Sequence, residues 1–349
     1  MLDGGVAYKN LKPTLVGPYR FLEPLGAGAF ASVYRGERVD RPGHLALKVL
    51  NPQMVHGNRE HVMALQDEAS ILEQVDSPHV VRSHGHSILE GPDGGEWHVL
   101  ALDYVQGVTL SDLAALVGAM PGRVPLGAMV QVADDVLQGL AATHDARSPD
   151  GFLGVVHRDL KPANIMVDEA GITRILDLGI AWARERQVRT ETGFTKGTPP
   201  WMSPEQIRGD AVGPRSDLYV LGVLLFDVLA GEPWCAPRSR ERSDELVMLE
   251  CLHARFDERR DDLRRGLAER FSKPERGAVE VENLLAALLA PSPKDRPPRA
   301  WVARAFIRPA LPDVAVARQL LGRMARGIRL AREAEDRPVD ADATQLVRT

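Results

Sequence analysis

Apolar residues recur along this chain first with the period of strands and then with the period of helices. From Tyr19 to Val105 the runs YRFLEPL, SVYRGERV, HLALKVL, RSHGHSILE and WHVLALDYV are separated by turns such as Arg41-Pro42-Gly43 and Gly91-Pro92-Asp93-Gly94-Gly95, the signals of short strands. One helix interrupts them. Over His61–Val75, the residues Val62, Leu65, Ala69, Leu72 and Val75 fall at helical spacing and form one apolar stripe. After Gly107 the pattern turns mostly helical. Val124–His144 is amphipathic, Asp217–Ala230 is apolar enough to be buried, and Glu280–Ala290 and Arg299–Ile307 follow as shorter helices. Ser148–Gly154 reads as a surface loop, and Arg238–Lys273 as a charged, helix-punctuated stretch of no definite form. The fold class is therefore α+β: a small β-rich lobe with one helix, then a larger, mostly helical lobe.

At 349 residues the chain is long enough for one two-lobed enzyme with short tails. Hydrophobic residues at 44% against 26% charged leave enough apolar surface for a sizeable core. The net charge of -5 provides no basic field, which argues against nucleic acid as a partner. Cys235 and Cys251 are too few for a disulfide framework and are expected as two unreactive thiols of a reducing compartment. The N-terminal MLDGGVAYKNLKP lacks the basic-then-apolar order of a secretory signal, and Leu218–Ala230, broken by Gly222 and Asp227, is too short to span a bilayer. A soluble, cytoplasmic protein is the expectation, with membrane attachment after residue 349 left open.

Gly26-Ala27-Gly28-Ala29-Phe30-Ala31-Ser32-Val33 lies between two strand-like runs. Glycines there let backbone N–H groups reach phosphate oxygens that a Cβ would hold off, although a β-turn that binds nothing has the same composition. The strand-loop-strand context separates it from dinucleotide and Walker-type loops, which open a helix. Lys48 sits inside the apolar Leu45-Ala46-Leu47-Lys48-Val49-Leu50. A buried ammonium is costly unless paired, so Lys48 either keeps its head in water at a strand edge or meets an anion such as a nucleotide phosphate. Glu68, at the edge of the 61–75 stripe, is a carboxylate able to orient it, and Glu60 and Glu73 are alternatives.

The most specific run is Val155-Val156-His157-Arg158-Asp159-Leu160-Lys161-Pro162-Ala163-Asn164-Ile165-Met166-Val167. At ~5% per position, a chance match of its His, Arg, Asp and Asn is expected in about 0.2% of chains this long. Asp159 can accept a proton from an attacking hydroxyl, Lys161 can steady a migrating phosphoryl group, and Asn164 can offer an amide oxygen to Mg²⁺. Downstream, Ile175-Leu176-Asp177-Leu178-Gly179 puts a carboxylate at a strand end, ready for a hard cation.

Together these residues resemble eukaryotic-type protein kinases of the bacterial Ser/Thr branch, from Tyr19 to Ile307. The resemblance implies the bilobal protein-kinase fold, with an N-lobe over 19–105, a C-lobe over 106–307, a tail over 1–18 and a basic amphipathic helix and tail over 308–349. It implies ATP and Mg²⁺ as cofactors, with Mn²⁺ able to stand in, and protein Ser/Thr hydroxyls as acceptors. ATP would be lined by Leu25, Gly26, Gly28, Phe30, Val33, Ala46 and Lys48, with Leu102 as gatekeeper and Asp103-Tyr104-Val105 as the adenine-binding hinge. Glu68 is preferred to Glu60 and Glu73 because it falls ten residues before Pro78. Ser203-Pro204-Glu205 fills the Ala-Pro-Glu position; Glu205 is expected to pair with Arg296, Asp217 to anchor the catalytic loop, and all three to be scaffold. Lys161, two residues after Asp159, and Thr198 in Gly197-Thr198-Pro199 fit Ser/Thr rather than tyrosine kinases. Leu178 replaces the usual Phe and Ala31 a third glycine, changes that keep the metal and phosphate ligands. The alternative, an inactive pseudokinase scaffold, would usually lack one of Lys48, Asp159, Asn164 or Asp177, and all are present. A small-molecule phosphotransferase would not need the Glu205 and Thr198 features.

Ile180–Lys196 is polar and rich in hydroxyls and arginines. Phosphate on Thr190 or Thr192 adds about -1.5 to -2 charges and would pair with Arg158, so autophosphorylation within a transient homodimer is expected; the alternative is a solvated loop. In the tail, Ala317, Leu320, Leu321, Met324 and Ile328 share one face of a helix over Asp313–Glu335, with Arg318, Arg323, Arg326, Arg329 and Arg332 spread around it. This helix is expected to dock on the large lobe or stand solvated, with a membrane surface or a regulatory partner as alternatives.

Overall fold

The computed structural model describes residues 13–335 apart from 29, 58, 149–150, 153, 180–200, 236–250, 273 and 275. Its first lobe is built on strands β1 (Thr14–Val16), β2 (Tyr19–Ala27), β3 (Ala31–Arg38), β4 (His44–Leu50), β5 (Ser83–Glu90) and β6 (Glu96–Asp103). They pair antiparallel in the order β1-β2-β3-β4-β6-β5. Helices α1 (Pro52–Gly57) and α2 (Arg59–Gln74) connect β4 to β5.

Alternation along each strand sorts the two faces of the sheet. Leu47 and Val49 of β4 join Phe21, Tyr34, Trp97 and Val99 in a buried outer core, where Phe21 meets Tyr34 and Trp97 edge to face. Ala46 and Leu50 take the opposite face, against Leu65, Ala69 and Leu72 of α2. Lys48, two residues from each, therefore emerges on the α2 side. Each buried Leu or Phe contributes roughly 1.5–3 kcal/mol, whereas β-propensity differences span only about 1 kcal/mol. Burial thus decides the register.

The second lobe opens with β7 (Gly107–Thr109), α3 (Leu110–Ala119), β8 (Val124–Pro125) and α4 (Leu126–His144). A two-residue pairing of β9 (Arg147–Ser148) with β10 (Gly151–Phe152) gives ladder structure to the span expected as a plain surface loop. Then come β11 (Ile165–Asp168) and β12 (Thr173–Ile175), which form a hairpin beside β7. The remaining elements are α5 (Pro204–Arg208), α6 (Pro214–Ala230), α7 (Phe256–Arg270), β13 (Phe271–Ser272), α8 (Ala278–Leu288), α9 (Ala300–Ile307) and α10 (Val314–Glu335). α6 is the apolar helix of the sequence pattern, buried on nearly every side and ended by Gly231 at φ 75°. α7 emerges from the stretch of no definite form. Its surface is salt-bridged and only Phe256, Leu263, Gly266 and Leu267 are buried, too sparse a stripe to read among the charges. α10 docks on the lobe: Ala317 and Leu321 are buried, and Leu320, Met324 and Ile328 pack against the same core.

One expectation is overturned. Cys235 and Cys251 are not free thiols but are bonded to each other across a separation of 16 residues, with Cα atoms 5.0 Å apart. Both are buried in the helical core, whose packing brings the chain after α6 beside the chain before α7. Two cysteines too few for a framework can still meet once the core places their Cα atoms within bonding reach. The cysteines therefore supply no argument for a reducing compartment. Among the described residues no helix is long and apolar enough to cross a membrane.

Candidate active site

β4 and α2 hold Lys48 and Glu68 at facing positions. Lys48 Nζ donates to Glu68 Oε1 at 3.0 Å and Oε2 at 2.8 Å, and to Asp177 Oδ2 at 3.1 Å. Of the other glutamates weighed, Glu73 lies instead beside Gly85 and Glu60 is exposed. One ammonium cannot fully compensate two carboxylates, of which Glu68 is buried and Asp177 partly exposed, and the pair divides accordingly. Burial, with Asp177 nearby, pushes the Glu68 carboxyl up to about 7 against the pull of Lys48. Burial would raise Asp177 too, but Lys48 and the Gly179 N–H outweigh it and hold this carboxyl well below its usual range. Burial acts to lower Lys48, yet the two carboxylates keep it above its ordinary value.

Asp159, Lys161 and Asn164 lie on the chain entering β11, which makes one tight turn over Pro162–Asn164. Lys161 Nζ donates to Asp159 Oδ2 at 2.6 Å, and Asn164 Nδ2 donates to the Asp159 carbonyl at 3.1 Å, leaving the amide oxygen of Asn164 for another partner. The Leu176 N–H donates to the Asn164 carbonyl at 2.9 Å and so holds the segment leading to Asp177 against this loop. Gly179 closes the group. Its φ is +55°, and a Cβ there would lie 2.6 Å from Asp159 Cβ, so both backbone and space demand glycine. Lys48, Glu68, Asp159, Lys161, Asn164 and Asp177 are thus brought together from both lobes.

The Gly-rich turn between β2 and β3 is held from below by Asn51, whose side chain donates to the Gly28 carbonyl at 3.0 Å and whose N–H donates to the Phe30 carbonyl at 2.8 Å. Phe30 stacks on His61 of α2, with 5.3 Å between centroids. A Cβ at Gly26 would meet no atom within 4 Å, and its φ is not left-handed. Neither packing nor backbone therefore calls for glycine at 26. Val33 pairs with Gly26 across the strands, and Leu25 beside it is exposed. Ala46 pairs with Leu102 as Lys48 pairs with Leu100, so all share the α2-side face. Leu102 and Val105 are buried, and Asp103 Oδ1 lies 2.7 Å from His84 Nε2.

Beneath the loop, Asp217 Oδ2 accepts from the His157 N–H and lies 2.8 Å from His144 Nε2, while its Oδ1 accepts from the Arg158 N–H at 2.9 Å. Arg158 has a left-handed φ of 66°, costly for a residue with a Cβ, and these bonds fix the peptide in that state. Burial would raise Asp217, but His144 and the N–H donors hold it below its usual range. Arg296, fully buried, bonds both oxygens of Glu205 at 2.6 and 3.0 Å, stacks over Tyr219 at 4.6 Å and donates to three backbone carbonyls. Thr190, Thr192 and Thr198 lie outside the described residues.

Sequence reasoning missed Asn51, His144 and Gln206, whose amide donates to the Arg158 carbonyl at 2.9 Å. His144 left a signal, a polar residue on the inner face of an amphipathic helix; Gln206 and Asn51 left none.

A family profile described as the protein kinase domain matches residues 19–305. The chain belongs to the protein kinase family. Among curated relatives of this kinase, the serine/threonine-protein kinase PknL of Mycobacterium tuberculosis is 34% identical over 233 residues, 66% of this chain and 54% of PknL. The tyrosine-protein kinase MasK of Myxococcus xanthus is 31% identical over 288 residues, 81% of this chain and 41% of MasK. The kinase therefore spans under two thirds of either relative. The crystal structure of the M. tuberculosis PknI kinase domain has a TM-score of 0.58 to it at 22% identity, covering 86% of this chain and 99% of that one, which establishes the shared fold of β-rich N-lobe and helical C-lobe.

Proposed function

We propose that this kinase is active, uses ATP with Mg²⁺, and transfers the γ-phosphoryl group to Ser and Thr hydroxyls of proteins, its own activation segment among them. The observation that carries the reading is the single ion group of Lys48, Glu68 and Asp177 set against Asp159 and Asn164. Glu68 orients Lys48, whose ammonium exchanges Asp177 for the nucleotide phosphates. Gly26 and Gly28 leave room for backbone N–H groups to approach the same phosphates, and the hinge backbone at Asp103 and Val105 meets adenine. Asp177 and the amide oxygen of Asn164 are hard donors that fit Mg²⁺, which takes one or two protein carboxylates alongside phosphate oxygens. When bound, the ion neutralises charge on the phosphates. Asp159 accepts the acceptor hydroxyl's proton and holds its oxygen in line. Lys161, already 2.6 Å from Asp159, then faces the phosphoryl group in flight.

The Ser/Thr assignment rests on Lys161 and Thr198, and PknL supports it by name, whereas MasK carries a tyrosine name. The protein would work on the cytoplasmic side, where ATP is plentiful, and would meet a second copy of itself when Thr190 and Thr192 are modified. The test is incubation of the purified chain with Mg-ATP, followed by phosphoamino-acid analysis and mass spectrometry, with a Lys48→Met chain as control. Phosphoserine or phosphothreonine in the wild type alone, including phosphate on Thr190 or Thr192, is expected. Phosphotyrosine only would overturn the acceptor class, and no phosphate at all would overturn the activity.

A further inference from the structure

The β11–β12 hairpin carries Asn164 at its entry and Asp177 just past its exit. Its turn, at the far end, is gripped by a helix that lies beyond the family match, which stops at residue 305. Asp135 of α4 is the centre of this grip. Its side chain is fully buried, and it accepts from Gln131 at 2.9 Å and from the backbone N–H of Thr173, the first residue of β12, at 3.1 Å. Arg318 of α10 supplies the counter-charge, donating to both Asp135 oxygens and, at 2.8 Å, to the carbonyl of Gly171 in the hairpin turn. His79 stands on the other side of the same carboxylate, with Nδ1 3.0 Å from the Thr173 carbonyl. Further along α10, Arg329 donates to Glu169 at 2.5 Å and Arg332 to Asp112 at the start of α3.

The backbones also interlock. A Cβ on Gly322 would come within 2.4 Å of the Glu169 carbonyl oxygen, and one on Gly171, whose φ is +80°, within 2.0 Å of the Arg318 carbonyl oxygen. The helix reaches the turn only because glycine stands on both sides. Gly327, one turn on, has nothing within 4 Å of a Cβ.

We propose that α10 is a positioning strap for the catalytic hairpin, and that Arg318, acting through Asp135 and Gly171, sets where β11 and β12 present Asn164 and Asp177. The strands between turn and site are only four and three residues long. A displaced turn therefore tilts both metal-binding side chains together. This rests on the assignment of Asn164 and Asp177 made above.

The test uses the full chain with Arg318→Lys, which keeps the charge but loses the forked geometry, and Gly322→Ala, which removes no charge but lifts the helix. Gly327→Ala is the control. Both test variants are expected to raise the Mg²⁺ concentration for half-maximal rate about fivefold or more and to lower kcat about tenfold, with KM for the protein acceptor unchanged. Amide exchange should accelerate about tenfold at Thr173 and at Gly179, whose N–H is held by Asp177. Gly327→Ala should match the wild type. Faster exchange at Thr173 alone, with kcat, Mg²⁺ requirement and Gly179 exchange unchanged, would reduce α10 to a stabilising helix and overturn the proposal. A wild-type chain that never turns over ATP sinks the kinase assignment instead, and the Gly179 exchange still decides whether the strap sets Asp177. Should Arg318→Lys fail to fold, Gly322→Ala carries the same measurements.

Discussion

The ammonium of Lys48 stands between two carboxylates, 2.8 Å from Glu68 and 3.1 Å from Asp177. Glu68 is buried on α2 whereas Asp177 sits at the mouth of the site, more than a third exposed. Lys48 can therefore give up Asp177 to a phosphate while Glu68 keeps it in place.

Lys48→Met is expected to lower turnover by about 10²–10³-fold, the usual loss when one preorganised charge donor is removed from a reaction centre. Steady-state phosphorylation of a protein acceptor measures it. Near-wild-type turnover would take Lys48 out of the site.

Asp177 and Asp159 should separate by what they bind. Asp177→Asn is expected to lose the Mg²⁺-dependent part of the rise in melting temperature that ATP produces. Asp159→Asn should keep that rise while the rate falls about 10²–10⁴-fold, the range for loss of a general base. Equal thermal responses in the two variants would undo the division of labour.

Glu205 and Arg296 form a buried pair, so removing one member strands the other. Glu205→Gln should cost about 3–5 kcal/mol of folding stability, measured by urea denaturation. The pH dependence has a definite sign. Burial would raise the Glu205 carboxyl, but Arg296 and the Ser216 hydroxyl outweigh it and hold the folded value below the ordinary 4.5. The unfolded chain then binds the proton more tightly, and the stabilisation is complete above about pH 4.5 and is lost as pH falls through the folded value. Glu205→Gln should therefore show a shallower acid limb than the wild type.

The bond between Cys235 and Cys251 predicts no titratable thiol in the denatured chain before reduction and two after it. Closing a loop of this length stabilises a fold by roughly 3 kcal/mol in the chain-entropy account, so reduction should lower the denaturation midpoint. Two thiols found without reductant would remove the bond.

Much of this site was legible from residues near one another in the chain. The run from His157 to Asn164 announces its chemistry within eight positions, and strand alternation around Lys48 already says that the residue cannot face the same core as Leu47 and Val49. The choice among Glu60, Glu68 and Glu73 was harder. All three ride one helix; the family's spacing to Pro78 favoured Glu68, and the packing of α2 on the sheet is what brings that residue to Lys48. α7 escaped because its apolar positions are few and its charges satisfy one another on the surface. Gln206 escaped because nothing in a lone glutamine says that its amide will hold the Arg158 carbonyl.

By itself the sequence determined the two lobes and their order and singled out the residues proposed for phosphoryl chemistry, since periodicity and side-chain type are properties of neighbouring positions. The tertiary structure decided the partnerships: Cys235 with Cys251, and Asp135 with Arg318 from 183 residues away. A hydrogen bond or a disulfide depends on a few ångströms of separation, and packing of the intervening helices, not distance along the chain, sets that separation.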